Sequence, residues 1–201
     1  MHPAQTALIL VGYQNDYFGE TGLLHQVVEE SSKVNNVIAN TISLLTHLPS
    51  SLLIISTPIN FTPNYEELVN PVGILKTIKE VGALQANTYG SEMIKPLVPF
   101  RERIIDVHGK RGFNAFAHTN LDHLLKQKGV EHVVIAGTIT SICIDSTGRC
   151  AHELGYQVSI LSDCTASRTI FEQEFYCQHI FPAYADVLTH QEFLGCFAVA
   201  A

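Results

Sequence analysis

Short apolar segments alternate with longer amphipathic segments along the chain, and this alternation predicts the order of strands and helices. Each apolar segment is four to six residues long, is rich in Ile, Val and Leu, and is bounded by polar or turn residues, as is typical of buried strands. The predicted strands are Ala7–Val11, Leu52–Ser56, Arg103–Val107, His132–Ala136, Gln157–Leu161 and, more weakly because Asp186 interrupts it, Ala185–Leu188.

Apolar residues recur at helical spacing between these strands. The predicted helices are Ser31–Leu48, Asn120–Lys128, Ser141–Leu154 and Thr169–Phe181, and a proline or glycine follows each of them. Strands that alternate with helices form βαβ crossovers, so the pattern predicts a three-layer α/β fold with a mainly parallel sheet. We expect a single domain over residues 1–201, with a long proline-rich loop insertion at about 57–99.

Composition and charge narrow the functional classes. Hydrophobic residues make up 46% of the chain and charged residues 15%, so it can bury a core and disorder is excluded. The net charge of −7 argues against nucleic acid or an anionic membrane as a partner. We expect no signal peptide, because the residues before Val11 lack a positive region and a long apolar run, and the five cysteines include no C-x-x-C pair. These features predict a cytoplasmic protein with reduced thiols.

Segments that carry reactive side chains follow three of the predicted strands. In parallel sheets ligands bind at the carboxyl ends of the strands, so residues 12–18, 108–116 and 137–144 are expected to converge. Cys143 lies in the first turn of a predicted helix, where the helix dipole and free N–H groups favour a thiolate and can hold an oxyanion. Lys110 could supply a stabilising positive charge. Spacing alone favours a simpler interpretation, a small buried thiol and a solvated lysine.

Four motifs carry a resemblance to a known family. They are ALILVGYQNDYF (residues 7–18), KRGFNAF (110–116), GTITSICIDSTGRCA (137–151) and SDCTAS (162–167). In this order, over nearly the whole chain, they resemble the isochorismatase-like cysteine hydrolases, the superfamily that includes nicotinamidases and N-carbamoylsarcosine amidases. The resemblance favours a reactive pair of Cys143 and Lys110 over the simpler interpretation.

The resemblance implies both a fold and a chemistry. The fold would be a Rossmann-like α/β domain with a six-stranded parallel sheet, assembled as a homodimer or homotetramer. An Asp–Lys–Cys triad would cleave a small amide or a related C–N bond of a small-molecule substrate through a thioester on Cys143, with Lys110 as its partner. The resemblance also implies a cis peptide at Ile139–Thr140, which with Cys143 would orient the oxyanion-hole amides.

The chain departs from the family at the triad aspartate, because that position is Gly12. Three hypotheses follow. Another acid could replace the aspartate: Asp16 is nearest in sequence, although in the family this position more often braces the turn, and the other choices are Asp106, Glu92 or His108. Alternatively, Lys110 and the helix dipole alone keep Cys143 ionised. In the third hypothesis the chain is a catalytically silent binding or scaffold protein of the same fold.

The resemblance also bears on metal and on the pocket. Nicotinamidases of this superfamily bind a metal through an Asp and histidines after the second strand, but Asn60 is the nearest equivalent here and is a poor ligand. We therefore expect no catalytic metal and no cofactor. The residues predicted to line the pocket, any one of which is more often a packing residue, are Tyr13, Phe18, Phe61, Phe113 and His118.

Overall fold

Six parallel strands form the centre of the fold in the computed structural model, which describes residues 1–198. The sheet order is β3-β2-β1-β4-β5-β6, and every neighbouring pair is parallel. The predicted α/β fold with a six-stranded parallel sheet is therefore confirmed. The strands are β1 (Thr6–Val11), β2 (Leu53–Thr57), β3 (Ile104–Asp106), β4 (His132–Thr138), β5 (Gln157–Ala166) and β6 (Asp186–Leu188).

Helices cover both faces of the sheet and complete the three layers. They are α1 (Asn15–Phe18), α2 (His25–Val34), α3 (Val37–His47), α4 (Gly73–Val81), α5 (Leu121–Gln127), α6 (Asp145–Glu153), α7 (Ile170–Phe175) and α8 (His190–Ala198). Successive residues of β1 face opposite layers, as strand geometry requires. Leu8 and Leu10 pack in one apolar cluster with α3 and α8, whereas Ile9 packs in a second cluster with α5 and α6.

The predicted helix Ser31–Leu48 is wrong at its start, because the structure has two helices there. The break lies at Asn35 and Asn36, and Asn36 adopts a left-handed conformation with φ of 51°. Asparagine tolerates this region of φ better than most residues do. The apolar pattern continues across the break, so periodicity alone did not reveal it.

Strand β5 is longer than predicted and ends at Ala166 rather than Leu161. The pairing register with β4 shifts between Ile135 and Gly137, and beyond the shift Gly137 pairs with Thr165. Such an irregularity lets a strand continue through a polar stretch that breaks the apolar pattern. Helix α8 was not predicted at all.

The order of the strands determines where a site can form. Strands β1 and β4 are neighbours in the sheet, and the chain leaves β1 toward β2 on one side and β4 toward β5 on the other. Parallel α/β folds bind ligands in the crevice between two neighbouring strands whose connections diverge in this way. Gly12 follows β1 and Ile139 follows β4, so both lie at this crevice. Within residues 1–198, no helix is both long enough and apolar enough to cross a membrane.

Candidate active site

Cys143 lies in a wide helical turn, Thr140–Ile144, that connects β4 to α6. Its side chain is buried, with 4% of its surface exposed. A cis peptide bond precedes the turn, at Thr138–Ile139. The predicted position, Ile139–Thr140, was therefore wrong by one residue: Thr138 still pairs with Ala166 in the sheet, and the chain leaves the strand at the bond that follows it.

Free backbone N–H groups lead into this turn. The N–H groups of Ile142 and Ile144 both donate to the carbonyl oxygen of Ile139, at 3.0 and 3.1 Å. The N–H groups of Ile139, Thr140 and Ser141 have no hydrogen-bond acceptor within residues 1–198, as is usual for the first residues of a helix. The turn can therefore offer hydrogen bonds to a developing oxyanion close to the Cys143 sulfur.

Lys110 belongs to the loop after β3 and is buried, with 2% of its surface exposed. Its Nζ has no hydrogen-bond partner of good geometry among the residues the structure describes. Burial lowers the pKa of the Lys110 ammonium, and the Cys143 sulfur opposes this shift through its charge and by hydrogen bonding. A buried, unpaired ammonium is unfavourable, so Lys110 is either uncharged or paired with the thiolate of Cys143.

The backbone at Gly12 adopts a conformation that side chains rarely take. Its φ is +71°, and a Cβ atom there would lie 2.9 Å from the carbonyl oxygen of Thr138 and 3.6 Å from the Tyr17 ring. Both the crowding and the positive φ disfavour any larger residue. The backbone therefore fits glycine at the position where the resemblance implies the triad aspartate.

Asp16, proposed from the sequence as a substitute acid, has both carboxylate oxygens engaged. One oxygen accepts the backbone N–H of Leu23 at 3.1 Å and the other accepts that of Leu84 at 2.6 Å. These bonds connect the turn after β1 to the loop before β3. This arrangement favours the bracing role of Asp16, and its role as a proton acceptor stays a prediction.

The other three residues considered as replacements for the triad aspartate line one cavity at the carboxyl ends of β1, β2 and β3. Glu92, Asp106 and His108 surround it together with Tyr13, and its volume is about 220 Å³. Asp106 is paired with Arg101, whose Nη2 lies 2.5 Å from a carboxylate oxygen. The cavity is a polar recess at the expected edge of the sheet.

The residues predicted to line one pocket lie in different places. Phe113 and His118 line a cavity of about 540 Å³ beside Arg111, and Phe18 lines a cavity of about 310 Å³. Tyr13 is buried, and its hydroxyl lies 2.6 Å from Thr41 Oγ1 and 3.0 Å from the Cys164 carbonyl oxygen.

Phe61 is fully buried in the core against Tyr65, with ring centroids 5.4 Å apart, and its place in the pocket wall stays a prediction. Backbone hydrogen bonds to Leu84 and Ala86 hold its segment against the body of the protein. An aromatic residue in a proline-rich loop gave no sign of this from sequence alone.

Tyr17 belongs to the candidate site, although no feature of the sequence indicated a role for it there. Burial raises the pKa of its hydroxyl well above the ordinary value, and the charges of Cys143 and Asp16 raise it further. The hydroxyl therefore stays protonated near the candidate nucleophile. Its ring also lies beside the position that a Gly12 side chain would occupy. The only signal in the sequence was its place directly after Asp16.

A group of potential metal ligands lies at the end of β5 and the start of α8. Donor atoms of Asp163, Cys164 and His190 are within 4.8 Å of one another. The Asp163 carboxylate accepts the His190 backbone N–H at 2.8 Å and lies 2.6 Å from His190 Nδ1, bonds that stabilise the first turn of α8. We assign the group to this capping, and the expectation of a metal-free site stays a prediction.

Comparisons with known proteins agree with this architecture. Residues 6–192 match the Isochorismatase domain family. The structure is similar to a cysteine hydrolase from Pseudomonas syringae pv. phaseolicola, with a TM-score of 0.87, 21% identity and coverage of 100% of this chain and 96% of that one. It is also similar to N-carbamoylsarcosine amidase from Thermoplasma acidophilum (0.72, 22%, 92% and 96%) and to nicotinamidase from Bacillus subtilis (0.73, 22%, 92% and 99%).

Proposed function

Because the chain belongs to the isochorismatase domain family, we propose that it is a hydrolase that cleaves small amides or related C–N bonds with Cys143 as the nucleophile. The observation that carries the proposal is the buried amine of Lys110, whose Nζ has no hydrogen-bond partner of good geometry among the described residues and whose pKa burial lowers and the Cys143 sulfur raises. A thiol and an amine buried together at a ligand-binding edge are suited to exchange a proton.

In the first step, the amine of Lys110 accepts the thiol proton in place of the missing carboxylate. Burial favours the uncharged amine, which is the form that can act as a base. The thiolate then attacks the amide carbon, a C–S bond forms, and the carbonyl oxygen becomes an oxyanion. The free N–H groups of Ile139, Thr140 and Ser141 can hold that oxyanion.

In the second step, the C–N bond breaks and the leaving amine takes the proton from the Lys110 ammonium. Water then attacks the thioester and gives a proton back to Lys110. The carboxylic acid leaves and Lys110 returns the proton to the Cys143 sulfur. The site is then back in its starting state. No group other than the substrate, water and these two side chains gains or loses a proton over the cycle.

A catalytically silent binding protein is the second candidate function. The observation that favours it is Gly12, which supplies no carboxylate where the resemblance implies the triad aspartate. Loss of a general base typically lowers the rate by about 10²- to 10⁴-fold. A chain that retained the pocket only for binding would have no need to activate Cys143.

Alkylation of individual cysteines separates these candidates. We expect iodoacetamide to modify Cys143 at neutral pH although its side chain is buried, because a thiolate paired with the Lys110 ammonium is a strong nucleophile. Peptide mass spectrometry would follow each thiol, with the exposed Cys196 as the internal reference. The Lys110→Met variant keeps the apolar stem but removes the amine, so it should slow alkylation of Cys143 by at least about 10-fold and leave that of Cys196 unchanged.

Failure of iodoacetamide to modify Cys143 while Cys196 is fully modified would contradict an activated nucleophile and support the binding protein. Equally fast alkylation of Cys143 in the unmodified chain and in Lys110→Met would leave Cys143 activated but remove Lys110 from the mechanism. The Cys143→Ala variant, screened with a panel of small amides, should lose any turnover that the unmodified chain shows.

Restoring the carboxylate provides a second test. The Gly12→Asp and Gly12→Asn variants share the same backbone strain and nearly the same size, so any difference between them reports the carboxylate alone. If the missing base limits the rate, Gly12→Asp should hydrolyse a family amide faster than Gly12→Asn. Equal rates would mean that loss of this carboxylate does not limit the reaction.

We also propose a cytoplasmic homodimer or homotetramer. The five cysteines are all free, which fits a reducing compartment. Phe171 and Phe175 stack on α7 with 75% and 41% of their surfaces exposed, which fits a surface that another subunit covers. Light scattering after size-exclusion chromatography should give two or four times the chain mass of 22.2 kDa, and the mass of one chain would contradict the proposal.

A further inference from the structure

Gln173, on α7, connects the turn of Cys143 to the end of β5. Its Oε1 accepts a hydrogen bond from Thr140 Oγ1 at 2.5 Å. Its Nε2 donates to Thr165 Oγ1 at 2.9 Å and to the Ser162 carbonyl oxygen at 3.0 Å. The side chain is buried, with 4% of its surface exposed. Both ends of one amide are therefore used to attach the first residue of the turn to the sheet.

Glu172, the preceding residue of α7, reaches the next residue of the turn through a serine. Its Oε2 accepts from Ser167 Oγ at 2.6 Å, and Ser167 Oγ lies 3.4 Å from Ser141 Oγ. Burial opposes ionisation, but hydrogen bonds from Arg168, Ser167 and Ser141 bring the pKa of Glu172 to about 2. The carboxylate is thus a permanent acceptor at neutral pH.

The two residues of the turn that α7 holds are also residues whose backbone N–H groups are free. Thr140 and Ser141 donate no backbone hydrogen bond within residues 1–198. We propose that Gln173 and Glu172 are positioning residues that hold the turn after β4 so that its free N–H groups, from Ile139 to Ser141, point at the oxyanion of the intermediate bound to Cys143. This inference rests on the proposed hydrolase function.

The physical basis is that an oxyanion hole works only when its donors are already oriented. Removing one such donor lowers the rate of acyl transfer by about 10²- to 10³-fold in a well-studied protease. Loosening a donor without removing it should cost less. The thiolate of Cys143 would form as before, because neither Gln173 nor Glu172 is the group that stabilises the Lys110 charge.

This difference between thiolate formation and acyl transfer distinguishes positioning from a merely structural role. Alkylation of Cys143 by iodoacetamide needs the thiolate but no oxyanion donor. Acylation by p-nitrophenyl acetate needs both: the thiolate attacks the ester carbon, the C–S bond forms, the C–O bond breaks and p-nitrophenolate leaves. A positioning residue affects the second reaction selectively, whereas a general loss of structure affects both.

The experiment measures both rates in the unmodified chain and in Gln173→Leu, with Glu174→Gln as the matched control, because Glu174 is exposed on the same helix. We expect Gln173→Leu to slow acylation of Cys143 by about 10- to 100-fold and to change alkylation less than about 2-fold. The control should change neither rate.

Thr140→Val and Thr140→Ser keep the inference testable if Gln173→Leu does not fold. Both are milder changes: the first removes the hydroxyl that Gln173 holds, and the second keeps it. Thr140→Val should show the selective loss of acylation, and Thr140→Ser should retain acylation within about 3-fold, since the hydrogen bond that carries the effect survives.

Every other outcome contradicts either the positioning role or the proposed function. A parallel fall of acylation and alkylation, or no fall in either, would overturn the positioning role while leaving Cys143 as the nucleophile. Failure of p-nitrophenyl acetate to acylate Cys143 in the unmodified chain, judged against Cys143→Ala, would instead contradict the proposed function, and the inference with it.

Discussion

Replacing Gly12 with alanine tests whether the turn after β1 requires glycine. The added Cβ would lie 2.9 Å from the Thr138 carbonyl oxygen and 3.0 Å from Thr138 Cγ2, and the residue would have to hold φ at +71°. The carbonyl oxygen belongs to the backbone at the end of β4, which is paired with β5. It cannot move away without disturbing the sheet.

Two costs contribute to the expected change in the free energy of unfolding. Holding alanine in the left-handed region costs about 1–2 kcal/mol. Crowding at contacts this short costs typically ~1–3 kcal/mol, because packed neighbours must shift. We therefore expect Gly12→Ala to lower the free energy of unfolding by roughly 2–5 kcal/mol, a large part of the ~5–15 kcal/mol that stabilises a typical domain.

Two other glycines separate these costs. Gly129 also has a positive φ, of +67°, but a Cβ there would meet nothing within 4 Å, so Gly129→Ala should cost only the conformational part. Gly195 lies in α8 with neither a positive φ nor a close neighbour, so alanine there should be neutral or stabilising by up to about 1 kcal/mol. We therefore expect the free energy of unfolding to rise in the order Gly12→Ala, Gly129→Ala, Gly195→Ala.

The assay is urea unfolding followed by circular dichroism, with the midpoint and slope fitted for each variant. If Gly12→Ala proves no less stable than Gly129→Ala, the contact with Thr138 is not rigid and the argument from crowding fails. The result would also change how Gly12→Asp is interpreted, because an aspartate could then enter without distorting the end of β4.

Two further predictions concern stability near the candidate site. Asp16→Asn turns one of the two acceptor oxygens that hold Leu23 and Leu84 into a donor, so it should lower the free energy of unfolding by about 1.5–3 kcal/mol; an unchanged urea midpoint would refute the bracing role. Glu172 has its pKa lowered from 4.5 to about 2, so its ionised form stabilises the fold above pH 4.5 and this stabilisation is lost as the pH falls toward 2. The difference in unfolding free energy between the unmodified chain and Glu172→Gln should therefore shrink between pH 4.5 and 2, and a constant difference would count against the charge as its source.

The fold could be predicted from the sequence because its strands are short, continuous apolar runs. Every predicted strand is present within a few residues of its expected bounds, since a strand buried on both faces requires such a run. The polar end of β5 was missed because its pairing depends on a register shift relative to β4. The break between α2 and α3 depends on one asparagine in a left-handed conformation, which an apolar pattern does not record.

The candidate site was predictable only in part. The motif order identified the family, which the match over residues 6–192 confirms, and it indicated Cys143 and Lys110 as the candidate reactive pair. The pocket wall was not predictable from aromatic residues, because Phe61 is core and Phe18 and Phe113 line different cavities. Which aromatic residue reaches a cavity depends on how the long segment between β2 and β3 folds back.

The sequence by itself determined the order of the strands, the family, and the presence of glycine where the resemblance implies an acid, because these are properties of residue type and spacing. Only the tertiary structure decided what surrounds that glycine. It revealed the left-handed backbone at Gly12, the buried Lys110 with no partner besides the Cys143 sulfur among the described residues, and the bonds from α7 to the Thr140 turn. Burial and hydrogen bonding between distant segments depend on how the layers pack, and no local pattern in the chain encodes that packing.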